Sequence, residues 1–381
     1  MIIEIRPGPL SNKGGELMLR AALDELSPRH EVAVEHWVAD YLVRARLGLY
    51  QKVWFKRLGP LAGLPGRIIP RRVRRIYGFV TEGDLEAIVD ASGFAYSDQW
   101  GVDKTEKMAR SARRWRGQGK RLILLPQAFG PFQLPGNADA ARRLVGDADL
   151  VFARDTVSLG HLHELGIGTS HVRLAPDITI AMGEEPPAED RETGTAYVVP
   201  NEKLLTHARD QDREAYFGFL LESVRHLRRR AVPTAILVHE SAADRELAEQ
   251  LRRAADVATP VVYEQDALLL RARIADAYLV IGSRYHALVS ALSNGVPVLA
   301  AGWSHKYESL LGDFGCERYD VGPTIDSSAL HDLIDELTDT HARSELRGTI
   351  LRRRAELRGQ IAEMWSLVHY SLGDGPQAPN Q

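Results

Sequence analysis

Tyr278-Leu-Val-Ile281-Gly282-Ser283-Arg284-Tyr285-His286-Ala-Leu-Val-Ser-Ala-Leu292-Ser-Asn294-Gly295-Val296-Pro-Val-Leu-Ala300 contains a whole strand–turn–helix–strand unit in one short run. The apolar stretch Tyr278–Ile281 reads as a buried strand, and Gly282 and Ser283 make a tight turn. Arg284 and His286 open an apolar helical pattern that stops at Asn294-Gly295, where glycine suits a helix end. A second buried strand, Val296–Ala300, leads into Gly302-Trp303-Ser-His305-Lys306. Two strand ends thus present an Arg, a His and a Lys beside the free N–H groups of a helix N-terminus. Such an end suits an anionic, phosphate-bearing ligand. It is also where open α/β sheets bind ligands, outside the carboxyl ends of the strands.

The same alternation extends over nearly the whole chain. One series of strand-like runs is Ile2–Ile5, Val32–Trp37, Ala87–Asp90, Arg121–Leu125, Leu150–Ala153 and Val172–Leu174. A second is Ala196–Val199, Ala235–Val238, Pro260–Tyr263, Tyr278–Ile281, Val296–Ala300 and Arg318–Val321. Helical patterns such as Glu16–Leu26, Lys104–Gly117, Thr156–Leu165, Arg213–Arg230 and Asp244–Ala255 lie between them. Near-continuous apolar strands spaced by helices indicate parallel sheets covered on both faces. The predicted class is therefore α/β: two Rossmann-like, doubly wound domains facing a cleft, the glycosyltransferase-B type of architecture. The polar stretch Gly183–Gly194 separates them, giving domains at 1–185 and 186–350. A helix over 351–372 is expected to pack back across both, and the Gly- and Pro-rich tail 373–381 to be disordered.

Composition narrows the class further. The chain has 381 residues, 44% hydrophobic and 26% charged, with a formal net charge of -3. That balance lacks the basic footprint of a nucleic-acid binder. The lone Cys316 cannot close an intramolecular disulfide, which fits a reducing compartment. Met1 leads straight into Ile-Ile-Glu-Ile5 without the pattern of a secretory leader, and no stretch reaches transmembrane length. The expectation is a cytoplasmic protein.

Several further strand ends carry polar groups. Arg154 closes Leu150-Val-Phe-Ala153, while Asp155 or Thr156 caps the next helix. Asp90, in Asp90-Ala-Ser-Gly93, ends another buried run; it is a base, a substrate-hydroxyl acceptor, or a carboxylate held by loop N–H groups. Gln127 ends a fourth, and its amide suits a polar ligand. The turn holding Asn12, Gly14 and Gly15 either caps the first helix or lets backbone approach a ligand closely. It is neither a dinucleotide fingerprint nor a P-loop. Lys306 is either a solvated lysine or an anion contact strengthened by Trp303 and Tyr307. His286 suits acid–base work near neutral pH. His161 and His163, two apart on a helix, are poor metal ligands. The run Arg67–Arg75 reads as a solvated loop and helix, or as a contact with an anionic membrane surface or a pyrophosphate-bearing acceptor.

Taken in order, these motifs resemble the polysaccharide pyruvyl transferase family. They are Asn12-Lys-Gly-Gly-Glu16, Asp90-Ala-Ser-Gly93, Leu125-Pro-Gln-Ala-Phe-Gly-Pro131, Ala153-Arg-Asp155 with Leu165-Gly166, and Ala175-Pro-Asp177. His239 with Asp244, Ser283-Arg-Tyr-His-Ala287, and Gly295-Val-Pro297 with Lys306 follow. The resemblance implies phosphoenolpyruvate as donor, a chemistry that requires no metal and, beyond that donor, no cofactor. It implies transfer of the pyruvyl group to two hydroxyls of one sugar in a glycan or lipid-linked saccharide, giving a cyclic ketal. It associates Arg154, His286 and Lys306 with donor binding or catalysis. Arg284 and Ser283 join them as donor contacts, and Asp90 is the weaker candidate base. Asn12, Gly14, Gly15, Gly93, Gln127 and Glu308 fall to the acceptor or the cleft. Gly15 stands where the family often has Asp. The expected place of work is the cytoplasm or the inner face of the membrane.

Two other readings compete. Glu308 could bind ribose hydroxyls in a nucleotide-sugar glycosyltransferase of the same architecture, since fold alone does not decide function. A non-catalytic glycan-binding relative is the other; intact Arg154, His286 and Lys306 argue against it.

Overall fold

The computed structural model describes residues 1–375 other than 9, 11, 54–68, 167–168, 184–193, 207–209, 256–257, 303 and 323. Most of the boundary stretch Gly183–Gly194, the start of the Arg67–Arg75 run, Trp303 and residues 376–381 of the tail therefore lie outside the described residues.

Two all-parallel sheets are present. In the first, β1 (Ile2–Pro7), β2 (Glu31–Glu35), β3 (Tyr50–Lys52), β4 (Phe79–Val80), β5 (Ala87–Ala91), β6 (Arg121–Gln127), β7 (Leu150–Ala153) and β8 (Val172–Leu174) adopt the order β4-β3-β2-β1-β5-β6-β7-β8. In the second, β9 (Ala196–Val199), β10 (Thr234–Val238), β11 (Val261–Tyr263), β12 (Leu279–Gly282) and β13 (Val298–Ala300) adopt the order β11-β10-β9-β12-β13. In both, the strand order reverses beside the first strand, which creates the crevice where such sheets take ligands. Central strands are apolar because helices cover both faces. Trp115 on the helix Val102–Gly117, Leu144 on the helix Asn137–Gly146 and Leu124 of β6 share one buried cluster.

The chain divides into two compact units. One comprises Met1–Leu10, Gly15–Ile178 and Gln360–Gln381; the other comprises Ser11–Gly14 and Thr179–Gly359. The α/β class and its doubly wound sheets follow the sequence pattern.

Some elements differ from expectation. The edge strands β3 and β4, of three and two residues, carry too little periodicity to stand out. Arg318–Val321 is not a strand: Glu317–Tyr319 form a 3₁₀ turn, and only a single bridge joins Asp320 to Ala300. The strand expected at Val296 begins at Val298, because Pro297 has no N–H to give a ladder. The last helix starts at Thr340, well before 351, where the Asp339 carboxylate accepts from the N–H groups of His341 and Ala342 at 3.0 and 2.9 Å.

Candidate functional site

In the second unit the turn after β12 is pinned from three sides. The Ser283 carbonyl accepts from Asn201 Nδ2 at 2.9 Å and from the Tyr307 hydroxyl at 2.7 Å. Ser283 Oγ lies 2.7 Å from the Tyr216 hydroxyl, which in turn accepts from the Asn201 N–H. At Gly282 the strand passes so close to β9 that a Cβ would overlap the Val199 carbonyl. Glycine is thus required by proximity, and the start of the helix Tyr285–Leu292 is held rigidly.

Arg284 occupies the N-cap position of that helix but points away from its N–H groups. Its guanidinium is buried and donates to Glu240 and to Asp244 Oδ1. Burial works against the charge, but Glu240 and then Asp244 outweigh it and raise the pKa above the ordinary value. Asp244 is itself fixed: it belongs to the capping box of the helix Ala242–Ala254 and accepts from the Glu202 N–H at 2.9 Å. Arg284 therefore carries a balanced charge, and its first effect is to tie the ends of β10 and β12 together. His239, fully buried beside it, is kept neutral by burial and by the positive charge of Arg284.

His286 and Lys306 both lie against Tyr285. The Tyr285 and His286 rings meet edge to face at 5.2 Å between centroids. Lys306 Nζ lies 5.5 Å from the Tyr285 centroid and 5.2 Å from that of Tyr307. Lys306 thus stands in the first turn of the helix His305–Asp313, over aromatic faces that attract a cation, and is not a solvated loop residue. Gly14, grouped with this unit, abuts His286 so closely that a Cβ would overlap the imidazole. Glu308 is exposed in the same helix turn as Lys306.

In the first unit, polar groups collect at the carboxyl ends of β5, β6 and β7. Asp90 accepts from the Ser92 N–H at 2.9 Å, Gln127 Nε2 at 2.8 Å and the Tyr96 hydroxyl at 2.5 Å. Burial, and then the Asp90 charge, push the Tyr96 hydroxyl well above its ordinary pKa. With three donors on a buried carboxylate, the loop-anchoring role foreseen for Asp90 is the one this geometry favours. Arg154 lies 3.4 Å from the Asp177 carboxylate, and both are buried. Gly93, at φ +70°, lets the loop after β5 pass that guanidinium; a Cβ would sit 3.9 Å from Arg154 Nη1. Asp155 caps the helix Thr156–Glu164 by accepting from the Ser158 N–H at 2.7 Å.

The model of the polysaccharide pyruvyl transferase family matches residues 12–305. The chain belongs to that family. It is accordingly a transferase enzyme of polysaccharide biosynthesis. No curated protein sequence matches the chain. Solved structures similar in fold include the UDP-GlcNAc 2-epimerase from Neisseria meningitidis bound to UDP-GlcNAc, with 10% identity, TM-score 0.60, and 98% of this chain and 100% of that one covered. HepE from Anabaena in complex with UDP gives 12% identity, TM-score 0.58, and coverage of 98% and 99%. A glycosyltransferase from Rickettsia africae gives 9% identity, TM-score 0.57, and coverage of 98% and 99%. At such identities the likeness speaks for the glycosyltransferase-B-like fold alone.

In this pyruvyl transferase the structure groups Ser283, Arg284, His286, Lys306 and Gly14 in one unit, and Asp90, Gly93, Gln127 and Arg154 in the other. Asn12 is half-buried in the bend before the first helix, and Gly15 lies inside it. Sequence reasoning missed the counter-charges: Glu240 and Asp177 give no periodic signal, although Asp177 stands in a quoted motif. Among the described residues one trio has metal-ligand chemistry. His30, His369 and Asp374 bring ligand atoms within 4.8 Å of one another. One Asp374 oxygen lies 2.5 Å from His30 Nε2 and 3.3 Å from His369 Nδ1, an arrangement already explained by hydrogen bonding. His30 also precedes β2, at the amino end of the sheet, opposite the strand ends described above.

Proposed function

We propose that the enzyme uses phosphoenolpyruvate as donor and closes a pyruvate ketal on two hydroxyls of one sugar residue. The observation that carries this reading is that His286 and Lys306 both lie against the Tyr285 ring, at the immobilised start of the helix Tyr285–Leu292. A donor with both a phosphate and a carboxylate needs cationic and polar donor groups, and Lys306 and His286, at the starts of the helices His305–Asp313 and Tyr285–Leu292, supply them. The reading also assigns Arg154, in the first unit, a donor contact; Ser283, buried with its hydroxyl on Tyr216 and its carbonyl on Asn201 and Tyr307, and Arg284 act chiefly by holding the turn.

In this reading His286 protonates the methylene carbon of the enol, which becomes the methyl group. The neighbouring carbon gains oxocarbenium character, and a first sugar hydroxyl attacks it and passes its proton to the now neutral His286 imidazole. The carbon–oxygen bond to phosphate then breaks, and the second hydroxyl closes the ring as its proton leaves with phosphate. A proton transfer of this kind contributes about 10²–10⁴-fold, and aligned cations add electrostatic stabilisation.

The acceptor is a glycan, free or lipid-linked. A cavity of about 620 Å³ in the first unit, lined by Trp37 and Trp115 together with the ion-paired Arg6, Lys52 and Glu35, and Arg114 and Glu82, has the size and mixed polarity for a sugar. No helix of the described residues is long and apolar enough to cross a membrane. Phosphoenolpyruvate is a cytoplasmic metabolite, so the reading places the reaction there. For a lipid-linked acceptor that means the inner face of the membrane, with the Arg67–Arg75 run as a contact. Incubation of candidate glycans with phosphoenolpyruvate and enzyme, followed by mass spectrometry, tests it. A pyruvyl adduct with stoichiometric phosphate release is expected. Glycosyl transfer from a nucleotide sugar, with no adduct from phosphoenolpyruvate, would overturn it.

A further inference from the structure

The four most exposed large apolar side chains among the described residues are Ile76 at 73%, Tyr41 at 70%, Tyr77 at 67% and Leu42 at 63%. They come from two short segments that the fold brings to one edge. Tyr41 and Leu42 open the helix Tyr41–Arg46, which leads into β3; Ile76 and Tyr77 end the helix Arg71–Ile76, which leads into β4. β3 and β4 are paired neighbours at the margin of the first sheet, and the Gln51 N–H donates to the Gly78 carbonyl at 2.7 Å. The apolar groups therefore lie on the two helices that lead into the marginal strands β3 and β4 of the first unit. Ile69 and Val73, also exposed, extend the patch.

Charge gives the patch its partner. Between Tyr41 and Val80 the described residues include seven Lys and Arg and no Asp or Glu; Arg46, Arg71, Arg72 and Arg75 are exposed, while Arg44, Lys52 and Arg74 are buried. Three acids approach from neighbouring positions. Asp40 caps the Tyr41 helix, Asp84 pairs with Arg74 and lies 3.8 Å from Arg71, and Glu31 pairs with Arg75. They offset part of the charge, while Arg46 and Arg72 remain exposed. A second copy of the chain would bring the same cations against these and be repelled. A nucleic acid would match the cations but leave Leu42 and Ile76 in water. An anionic bilayer meets both needs, because acyl chains take the aliphatic groups, the interface takes the tyrosines, and headgroup phosphates take the arginines.

We propose that this edge, with Tyr41, Leu42, Ile76 and Tyr77 as its apolar contacts and Arg46 and Arg72 as its charges, docks the enzyme on an anionic lipid bilayer. Docking is independent of the donor chemistry and goes beyond it, extending the Arg67–Arg75 contact to a composite surface that includes the Tyr41 helix. The test is sedimentation of the full chain with vesicles of phosphatidylglycerol and phosphatidylcholine, or of phosphatidylcholine alone, without phosphoenolpyruvate or glycan. The expected result is partition onto the anionic vesicles only, weakening as salt rises. It should fall about tenfold or more in Leu42→Ser/Ile76→Ser/Tyr77→Ser. Arg46→Glu/Arg72→Glu, which alters exposed charges only, should lose partition at an unchanged melting temperature, and so keeps the test valid should the first variant misfold. Absence of partition, equal partition onto neutral vesicles, or partition unaffected by Arg46→Glu/Arg72→Glu would overturn the proposal. So would a wild-type dimer that the apolar variant converts to monomer.

Discussion

Gly14 and His286 are in such close contact that a methyl group on the glycine would overlap the imidazole ring. The first helix begins at Lys13, so Gly14 occupies a helical position where alanine is intrinsically better by about 0.5–1 kcal/mol. Local propensity therefore favours Gly14→Ala, and the histidine opposes it. The variant is expected to keep its melting temperature while losing about 10²-fold in turnover, the scale of a roughly 1 Å misplacement of a reacting group. Phosphate release and thermal unfolding measured on the same sample separate the two effects. Undiminished turnover would mean that the ring can shift at no cost.

His286 and Lys306 are expected to fail in different ways. His286→Gln removes the proton donor and should lower kcat by about 10²–10⁴-fold with little change in the melting temperature. Lys306→Met removes a cation from between two aromatic rings, so it should chiefly raise the KM for phosphoenolpyruvate. Steady-state kinetics at varied donor concentration distinguish them. Equal losses in kcat for both variants would merge the two roles.

Much of this was legible in the sequence because the decisive stretch is local. Strand, turn and helix at Tyr278–Leu292 are adjacent in the chain, so Arg284 and His286 had to emerge at one end of a strand. The balance of charge was not legible. Arg284 reads as a free anion contact until Glu240 and Asp244 appear beside it, and those come from the end of a different strand. Asp90 reads as a candidate base until Tyr96 and Gln127 are seen to donate to it. The ion-paired set of Glu4, Arg6, Glu35 and Lys52, with the buried Lys52 Nζ 2.6 Å from the buried Glu4, was equally hidden. Its members lie on three strands whose pairing the periodicity does not reveal.

His239 gives the fold a predictable response to acid. Burial, and then the charges of Arg284, His286 and Lys13, hold its pKa well below the ordinary 6.5. Below about pH 6.5 the unfolded chain takes up a proton there that the folded chain refuses. The unfolded state thus binds more protons, and stability falls with pH by up to about 1.4 kcal/mol per unit. The loss continues until the depressed folded-state pKa is reached; above about pH 6.5 the contribution is complete. Urea unfolding between about pH 7.5 and pH 5 should therefore give a shallower slope for His239→Leu than for the unaltered enzyme. Parallel slopes would show that the ring gains its proton in the folded state too.

Arg154 and Asp177 allow structure and chemistry to be separated in one thermodynamic cycle. The pair is buried, with side-chain exposures of 5% and 1% at a distance of 3.4 Å. Removing one member leaves a buried charge without this counterpart, at a cost of about 3–5 kcal/mol, so Arg154→Met and Asp177→Asn should each be strongly destabilised. The double variant removes both charges and should recover a large part of that loss, with a coupling energy well above the experimental error of such cycles. Activity should not follow. If Arg154 contacts the donor, the recovered double variant stays inactive, because methionine offers no charge to a phosphate or carboxylate. Recovery of turnover together with stability would reduce Arg154 to a structural partner of Asp177 and leave donor binding to the Lys306 side alone.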